Sequence, residues 1–224
     1  RKVKRALKEG SFPLVLGGDH SMAIGTISGV AGYCRDQRLR MGVIWIDAHS
    51  DINVPGTSPS GNIHGMPVAA LIGMGPPELV SVGGSFQKLD PQNIVMIGLR
   101  SVDHGEREII REKGILTYTM SDIDRLGIHT VMQETLSYLS ERADHIHISF
   151  DLDSVDPTIA SGVGTPVPGG LTYREAHLIM ELIAERGALG SLEVAEVNPI
   201  LDTMNRSAQF ASGLVASAMG KRIL

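Results

Sequence analysis

Short apolar runs alternate with longer amphipathic segments along the chain. Several runs, such as Val43-Ile44-Trp45-Ile46, are apolar at odd and even positions alike, which is typical of strands buried on both faces. Strands are predicted over residues 13–16, 42–46, 93–98, 114–118, 145–150 and 190–197. Helical periodicity predicts helices over residues 21–36, 66–73, 105–112, 128–142, 172–186 and 206–219.

This alternation predicts an α/β fold with a mainly parallel sheet and helices on both faces. Repeats, low-complexity tracts and Pro/Ser-rich linkers do not interrupt the pattern, so a single domain is predicted over residues 1–224. Ligands of open α/β sheets bind beyond the carboxyl ends of the strands. The polar residues that follow each strand are therefore the candidates for function.

Composition narrows the class of protein. The net charge of −5 comes from both signs spread along the chain, which argues against a nucleic-acid or anionic-lipid partner. Its apolar stretches end well before the roughly 20 residues that a membrane-spanning helix needs. Cys34 is the single cysteine, which excludes internal disulfides and thiolate metal sites. A cytoplasmic enzyme fits these features, and the start at Arg1 rather than Met predicts a missing N-terminal segment.

Residues of the metal-ligand type follow three predicted strands. The segments are Gly17-Gly18-Asp19-His20-Ser21, Asp47-Ala48-His49-Ser50-Asp51 and Asp151-Leu152-Asp153. Side chains alternate in an extended chain, so Asp47, His49 and Asp51 can point the same way, as can Asp151 and Asp153. Taken singly, an Asp-x-Asp pair is usually a turn, and the Gly-Gly-Asp-His segment could be a turn that caps a helix. Together at three strand ends, they predict one metal site.

The charge of this set favours two metal ions. Four aspartates carry about −4, which two divalent ions cancel and one ion does not. The set is rich in oxygen, contains imidazole and lacks sulfur, which favours Mn²⁺ or a similar hard ion. A binuclear site of this kind can turn a bridging water into a hydroxide nucleophile.

The three segments, the last extended to Ser149-Phe150-Asp151-Leu152-Asp153, resemble the signature motifs of the ureohydrolases. That superfamily includes arginase, agmatinase, formiminoglutamase and guanidinobutyrase. The resemblance runs from Leu14 to about Asn205. It implies a three-layer α/β/α sandwich of the arginase/deacetylase type, a bacterial-type chain and assembly as a homotrimer or homohexamer. It also implies two Mn²⁺ per subunit, bound by His20, Asp47, His49, Asp51, Asp151 and Asp153.

A polar loop after the second metal motif bears on the substrate. Residues 58–65, with the sequence SPSGNIHG, resemble the loop that holds the amino-acid end of L-arginine in the arginase branch. On its own, such a stretch is typical of a surface loop. The resemblance implies α-carboxylate contacts from Asn53, Ser60 and Asn62, with Ser58 acting through water. It assigns the α-ammonium to Asp103, with Glu106 as a second acid one turn further on.

The implied reaction converts L-arginine and water to L-ornithine and urea, a step of arginine metabolism and of the urea cycle. A metal-bridging hydroxide, held with the help of Asp51, would attack the guanidinium carbon. By the same resemblance, Glu196 binds the guanidinium and His64 shuttles a proton, for which an imidazole is suited near neutral pH. Thr165 resembles a residue whose hydroxyl orients Glu196 or the metal ligands.

Alternatives remain at this point. Within the enzyme class, the chain could be an agmatinase or another guanidino-acid ureohydrolase. From another class, it could be a catalytically silent, metal-stabilised homologue, although each ligand, the shuttle histidine and the acid are present. His145 and His147 share a face with Asp151, but at about 3.3 Å per residue His147 lies roughly 13 Å away, too far to bind the metals.

Overall fold

A computed structural model describes residues 1–222. Its strands form one six-stranded sheet in the order β1-β6-β5-β2-β3-β4, and every pairing is parallel. The strands are β1 (Leu14–Leu16), β2 (Met41–Ile46), β3 (Ile94–Leu99), β4 (Leu116–Thr119), β5 (His145–Asp151) and β6 (Ser191–Ala195). The helices are α1 (Lys2–Lys8), α2 (Met22–Gln37), α3 (Pro67–Leu71), α4 (Pro77–Val80), α5 (His104–Lys113), α6 (Met120–Leu126), α7 (Ile128–Ser140), α8 (Tyr173–Arg186) and α9 (Arg206–Ala218).

Two apolar cores lie on the two faces of this sheet. Side chains of α1, α2, α3 and α5 pack on one face, around Val43 and Trp45 of β2. Side chains of α6, α7, α8 and α9 pack on the other face, around Ile44 and Phe150. The predicted three-layer α/β/α fold with a parallel sheet is thereby confirmed. The β2 strand is buried on both sides, as expected from a run that is apolar at both parities. Strand β5 is also largely buried, although His145, His147 and Ser149 alternate with its apolar residues.

All six predicted strands are present, with small shifts at their ends. The helix predicted over residues 66–73 is shorter, because Pro67 opens α3 and Gly73 adopts a left-handed φ of 92°. Helix α6 was not predicted. It starts directly after β4, where Thr119 and Asp122 form a reciprocal capping box.

The sheet order determines which loops meet. Strands β1, β6, β5 and β2 are consecutive neighbours, so their carboxyl ends share one edge of the sheet. The register pairs Ile46 with Phe150 and Asp151 with Ala195, which brings the residues after these strands to one level. No helix within residues 1–222 is both long and apolar enough to cross a bilayer.

Candidate active site

The predicted metal ligands meet at this shared edge. Asp151 is the last residue of β5, and Asp47 directly follows β2, its neighbour in the sheet. The short 3₁₀ turn Leu152–Ser154 brings Asp153 back towards the same point, where its backbone amide donates to Asp151 Oδ1 at 2.7 Å. His20 comes from the connection between β1 and α2. Three separate segments of sequence thus supply one cluster.

The cluster consists of two adjacent ligand sets. Nδ1 of His20 lies 2.9 Å from Asp151 Oδ2, 3.1 Å from Asp47 Oδ2 and 3.2 Å from Asp51 Oδ2. Nδ1 of His49 lies 3.2 Å from Asp153 Oδ2 and 3.5 Å from Asp47 Oδ1. In each of two groups the possible ligand atoms lie within 4.8 Å of one another: His20, Asp47 and Asp51, and Asp47, His49 and Asp153. Asp47 therefore belongs to both sets, with one oxygen facing each histidine.

Without bound cations, the burial of these carboxylates in one cluster is energetically unfavourable. Burial, together with the charge of Asp47, raises the pKa of Asp51 to about 8. Burial and the charges of Asp153 and Asp47 also raise the pKa of Asp151 well above its ordinary value. Nδ1 of His20 is buried and has no hydrogen-bond partner among residues 1–222, although it faces three carboxylates. Crowded carboxylates and an unpartnered imidazole nitrogen fit two hard divalent ions.

Neighbouring groups fix the orientation of these ligands. The indole Nε1–H of Trp45 donates to Asp47 Oδ2 at 3.0 Å, and the His49 amide donates to Asp47 Oδ1 at 2.7 Å. The Thr165 hydroxyl donates to Asp153 Oδ2 at 2.9 Å. Asp51 has a left-handed φ of 50°, which is rare for a residue other than glycine and is typical of functional positions.

The ligand sets open into a cleft with a free volume of about 120 Å³. Most residues predicted to bind or act on the substrate line it together with five of the six predicted ligands: Asn53, Ser58, Ser60, His64, Asp103, Glu106, Thr165 and Glu196. Pro59 and Gly65 of the predicted substrate loop also line the cleft, as does Ser101, which was not predicted. Asn62 is exposed, and its backbone amide donates to Ser60 Oγ at 3.2 Å. Its predicted contact with the substrate stays a prediction.

Two further acids, Asp103 and Glu106, line the cleft. Asp103 Oδ2 accepts a hydrogen bond from the Asn53 side chain at 3.0 Å. Glu106 is buried, and its carboxylate accepts from the amides of Asp103 (2.9 Å) and Ile52 (3.2 Å). Glu106 thus caps α5 and anchors the loop that follows the second metal motif. Asp103 is partly exposed where it lines the cleft, whereas Glu106 is buried.

The predicted guanidinium acid and proton shuttle lie side by side. Glu196 has a left-handed φ of 57°, and its Oε1 accepts from the His20 amide at 2.8 Å. Burial raises the pKa of Glu196. His64 Nδ1 is 3.4 Å from Asp19 Oδ2, and ligand-type atoms of Asp19, His64 and Glu196 lie within 4.8 Å of one another. The sequence had suggested only a capping role for Asp19, whose Oδ1 accepts from the Ser21 amide at 3.0 Å.

A parallel α/β sheet that carries paired Asp/His ligand sets at its carboxyl edge, beside a small polar cleft, defines a class of metal-dependent enzymes. Comparison with known families makes this specific. The sequence model described as "Arginase family" matches residues 1–220. The chain belongs to the arginase family.

Individual relatives agree with this assignment. The arginase of Bacillus caldovelox is 55% identical over 222 residues, which cover 99% of this chain and 73% of the relative. The arginase of Bacillus subtilis is 52% identical, with coverage of 100% and 74%. The native structure of the Bacillus caldovelox enzyme superposes with a TM-score of 0.96 at 54% identity, covering 100% of this chain and 73% of that one. A structure of Entamoeba histolytica arginase in complex with L-ornithine has a TM-score of 0.88 at 34% identity, with coverage of 98% and 75%.

Proposed function

We propose that this chain hydrolyses L-arginine to L-ornithine and urea with two Mn²⁺ ions per subunit, as a cytoplasmic homotrimer or homohexamer. The observation that carries the proposal is the pair of ligand sets that share Asp47 and open into a cleft containing Glu196 and His64. Relatives named arginase at 55% and 52% identity support the reaction. The presence of L-ornithine in the Entamoeba histolytica complex supports an amino-acid product in a cleft of this fold.

The ligand roles follow from the two sets. One ion would be held on the His20 side and the other on the His49 side, with Asp47 shared between them. Asp51 and Asp151 belong to the first side by their distances to His20, and Asp153 belongs to the second. Two bound divalent ions would supply a water that loses a proton near neutral pH and would offset the four carboxylate charges.

Glu196 would hold the guanidinium next to the metals. Its Oε1 is already engaged by the His20 amide, so Oε2 is the oxygen available to a cationic ligand. Gly164 supports this assignment, because a Cβ at that position would stand 3.2 Å from Oε2 and crowd it. A charge-assisted hydrogen bond from the guanidinium to this half-buried oxygen would fix the plane of the reacting group.

His64 would deliver the proton that the leaving group needs. Breaking the bond between the guanidinium carbon and the δ-nitrogen of ornithine leaves an amine that departs well only when protonated. His64 lies beside Glu196 and is partly exposed, so its ring reaches both the cleft and solvent. The contact of its Nδ1 with Asp19 favours a proton on that nitrogen and so helps to hold the ring in its orientation.

Polar and acidic residues that line the cleft would select an amino acid. Asp103 would receive the α-ammonium, with Glu106 as a neighbouring acid. Hydroxyl and amide groups suit an α-carboxylate because each can donate a hydrogen bond to it; they are Asn53, Ser58, Ser60 and Asn62. Agmatine lacks this carboxylate, so these groups would separate the two substrates.

The direct test is product formation. The protein loaded with Mn²⁺ should release urea and L-ornithine in equal amounts from L-arginine, and chelator treatment should abolish both. The Asp151→Asn variant, which keeps the size of the side chain but removes a charge on the His20 side, should lose activity and retain less than the full metal content. Full activity in that variant, or no urea from the loaded protein, would contradict the proposal.

A further inference from the structure

A chain of buried polar side chains runs under α2, from the metal centre towards the amino ends of β5 and β6. Its members, in order of contact, are His20, Ser149, Glu193, His147, Ser191 and His145. Ser149, Glu193, His147 and Ser191 are each 0% exposed. The sequence predicts that His147 lies too far away to ligate a metal, yet polar contacts through Glu193 and Ser149 connect it to the ligand His20.

The directions of the hydrogen bonds nearest the metals follow from donor counting. Ser149 Oγ lies 2.8 Å from His20 Nε2 and 2.9 Å from Glu193 Oε1. Nε2 of His147 lies 3.4 Å from the same oxygen of Glu193. The hydroxyl of Ser149 has a single proton, which it donates to Glu193 Oε1. The Ser149 oxygen must then accept from a protonated Nε2 of His20.

This direction decides which nitrogen of His20 is free for a metal. A neutral imidazole carries one proton, so a proton on Nε2 leaves a lone pair on Nδ1. Nδ1 is the atom that faces Asp47, Asp51 and Asp151. The ring itself is held by stacking on Trp45, with centroids 4.1 Å apart and an interplanar angle of 12°. With the ring plane fixed, the tautomer is the remaining variable.

We propose that Glu193 is a positioning residue for the metal centre: acting through Ser149, it fixes His20 in the tautomer with a free Nδ1 and strengthens that nitrogen as a ligand. The inference rests on the metal centre of the proposed function. The register of the two strands allows Glu193 to act through Ser149, because Ser149 of β5 lies directly opposite Glu193 of β6.

A purely structural role explains Glu193 less well. Glu193 is 0% exposed within a strand whose only other polar residue is Ser191, and its Oε2 has no hydrogen-bond partner among residues 1–222. Burying a carboxylate is costly, and apolar replacement of buried ion pairs is often neutral or stabilising. A half-satisfied charge at this place therefore points to a role in the adjoining site, where such partners of a metal-bound histidine tune affinity.

The test measures metal affinity rather than turnover. Purified variants are equilibrated with buffered Mn²⁺, and the bound metal is counted by mass spectrometry. Glu193→Gln, which keeps the size of the side chain and removes its charge, should weaken one of the two ions by about tenfold or more and leave the other in place. In a Ser149→Ala background, the same change should add less than about twofold, because the connection is already broken. Ser191→Ala is the matched control beyond Glu193 and should leave both affinities within about twofold.

Two results would overturn the inference. In one, Glu193→Gln binds both ions as tightly as the unchanged protein does; in the other, Glu193→Gln lowers the metal affinity by the same factor in the Ser149→Ala background as on its own. If circular dichroism shows that Glu193→Gln does not fold, Ser149→Ala and the charge-retaining Glu193→Asp carry the test. Ser149→Ala must then weaken one ion more than Glu193→Asp does, and unchanged binding by Ser149→Ala overturns the inference. Failure of the unchanged protein to bind two ions would instead refute the proposed function.

Discussion

Removing the metal ions should make the protein less stable as the pH rises. The buried ligand set holds carboxyls whose pKa is raised in the folded state, to about 8 for Asp51 and well above the ordinary value for Asp151. In both cases burial is the largest cause, followed by the charges of neighbouring aspartates. In the unfolded chain an aspartate titrates near pH 4. Between these values the folded metal-free protein keeps a proton that the unfolded chain has released.

The sign and size of the effect follow by linkage. Stability from a group with a raised pKa is fully present below the unfolded pKa and is lost as the pH rises through the folded one. For Asp51 that window runs from about pH 4 to about pH 8, with a loss of up to ~1.4 kcal/mol per pH unit. Burial lowers the pKa of His49, but hydrogen bonds to Asp153 and Asp47 raise it to about 11. His49 therefore adds a further loss of stability as the pH rises above 6.5. Several kcal/mol is a large part of the ~5–15 kcal/mol that stabilises a typical domain.

Urea denaturation followed by circular dichroism measures this directly. Chelator-treated protein is unfolded at pH 5, 6, 7 and 8, beside a sample that contains excess Mn²⁺. The free energy of unfolding should fall with pH in the metal-free series, and the gap to the loaded series should widen. Metal-free Asp51→Asn, which cannot ionise at this position, should show a shallower slope. A metal-free stability that stays flat or rises from pH 5 to pH 8 would refute the reasoning.

Three further predictions concern single side chains. Glu196→Gln should reduce kcat/KM for L-arginine on the order of 10²-fold, because the guanidinium loses its charged partner, and should still bind two metal ions. If the variant loses metal instead, Glu196 is a structural support of the metal site. His64→Ala should lower kcat on the order of 10²-fold with little change in KM, and added imidazole should restore part of it; a pure KM effect in steady-state assays would exclude the proton-transfer role. Asp103→Asn should raise KM for L-arginine about tenfold at unchanged metal content, and an unaltered KM would remove Asp103 from the substrate site.

Local sequence was sufficient for most of the fold. Runs that are apolar at both parities, such as Val43-Ile44-Trp45-Ile46, predicted strands that are buried on both faces, and the structure has them so. Helix α6 was not predicted because it follows β4 without a loop. The change from strand to helical periodicity at Thr119 therefore falls within a few residues. Helix α4 is a single turn that starts at Pro77, too short for a periodic signal.

The sequence predicted which residues of the candidate site follow the strand ends, but not the side-chain contacts between them. Placement of Asp47 and Asp151 at one edge follows from parallel neighbours, but the sharing of Asp47 between both ligand sets depends on its rotamer and on the Trp45 contact. The contact of Ser149 with Glu193 depends on the register of strands 44 residues apart in sequence. The one available signal was the presence of Glu193 inside an apolar strand, which burial on both faces makes unusual.

The most direct test of the central claim compares two substrates in one assay. The protein loaded with Mn²⁺ is given L-arginine or agmatine, and urea release yields kcat/KM for each. The polar hydroxyl and amide groups of the substrate loop predict a preference for L-arginine on the order of 10²-fold or more, because agmatine leaves those groups without an α-carboxylate to bind. Equal or faster turnover of agmatine would contradict the account.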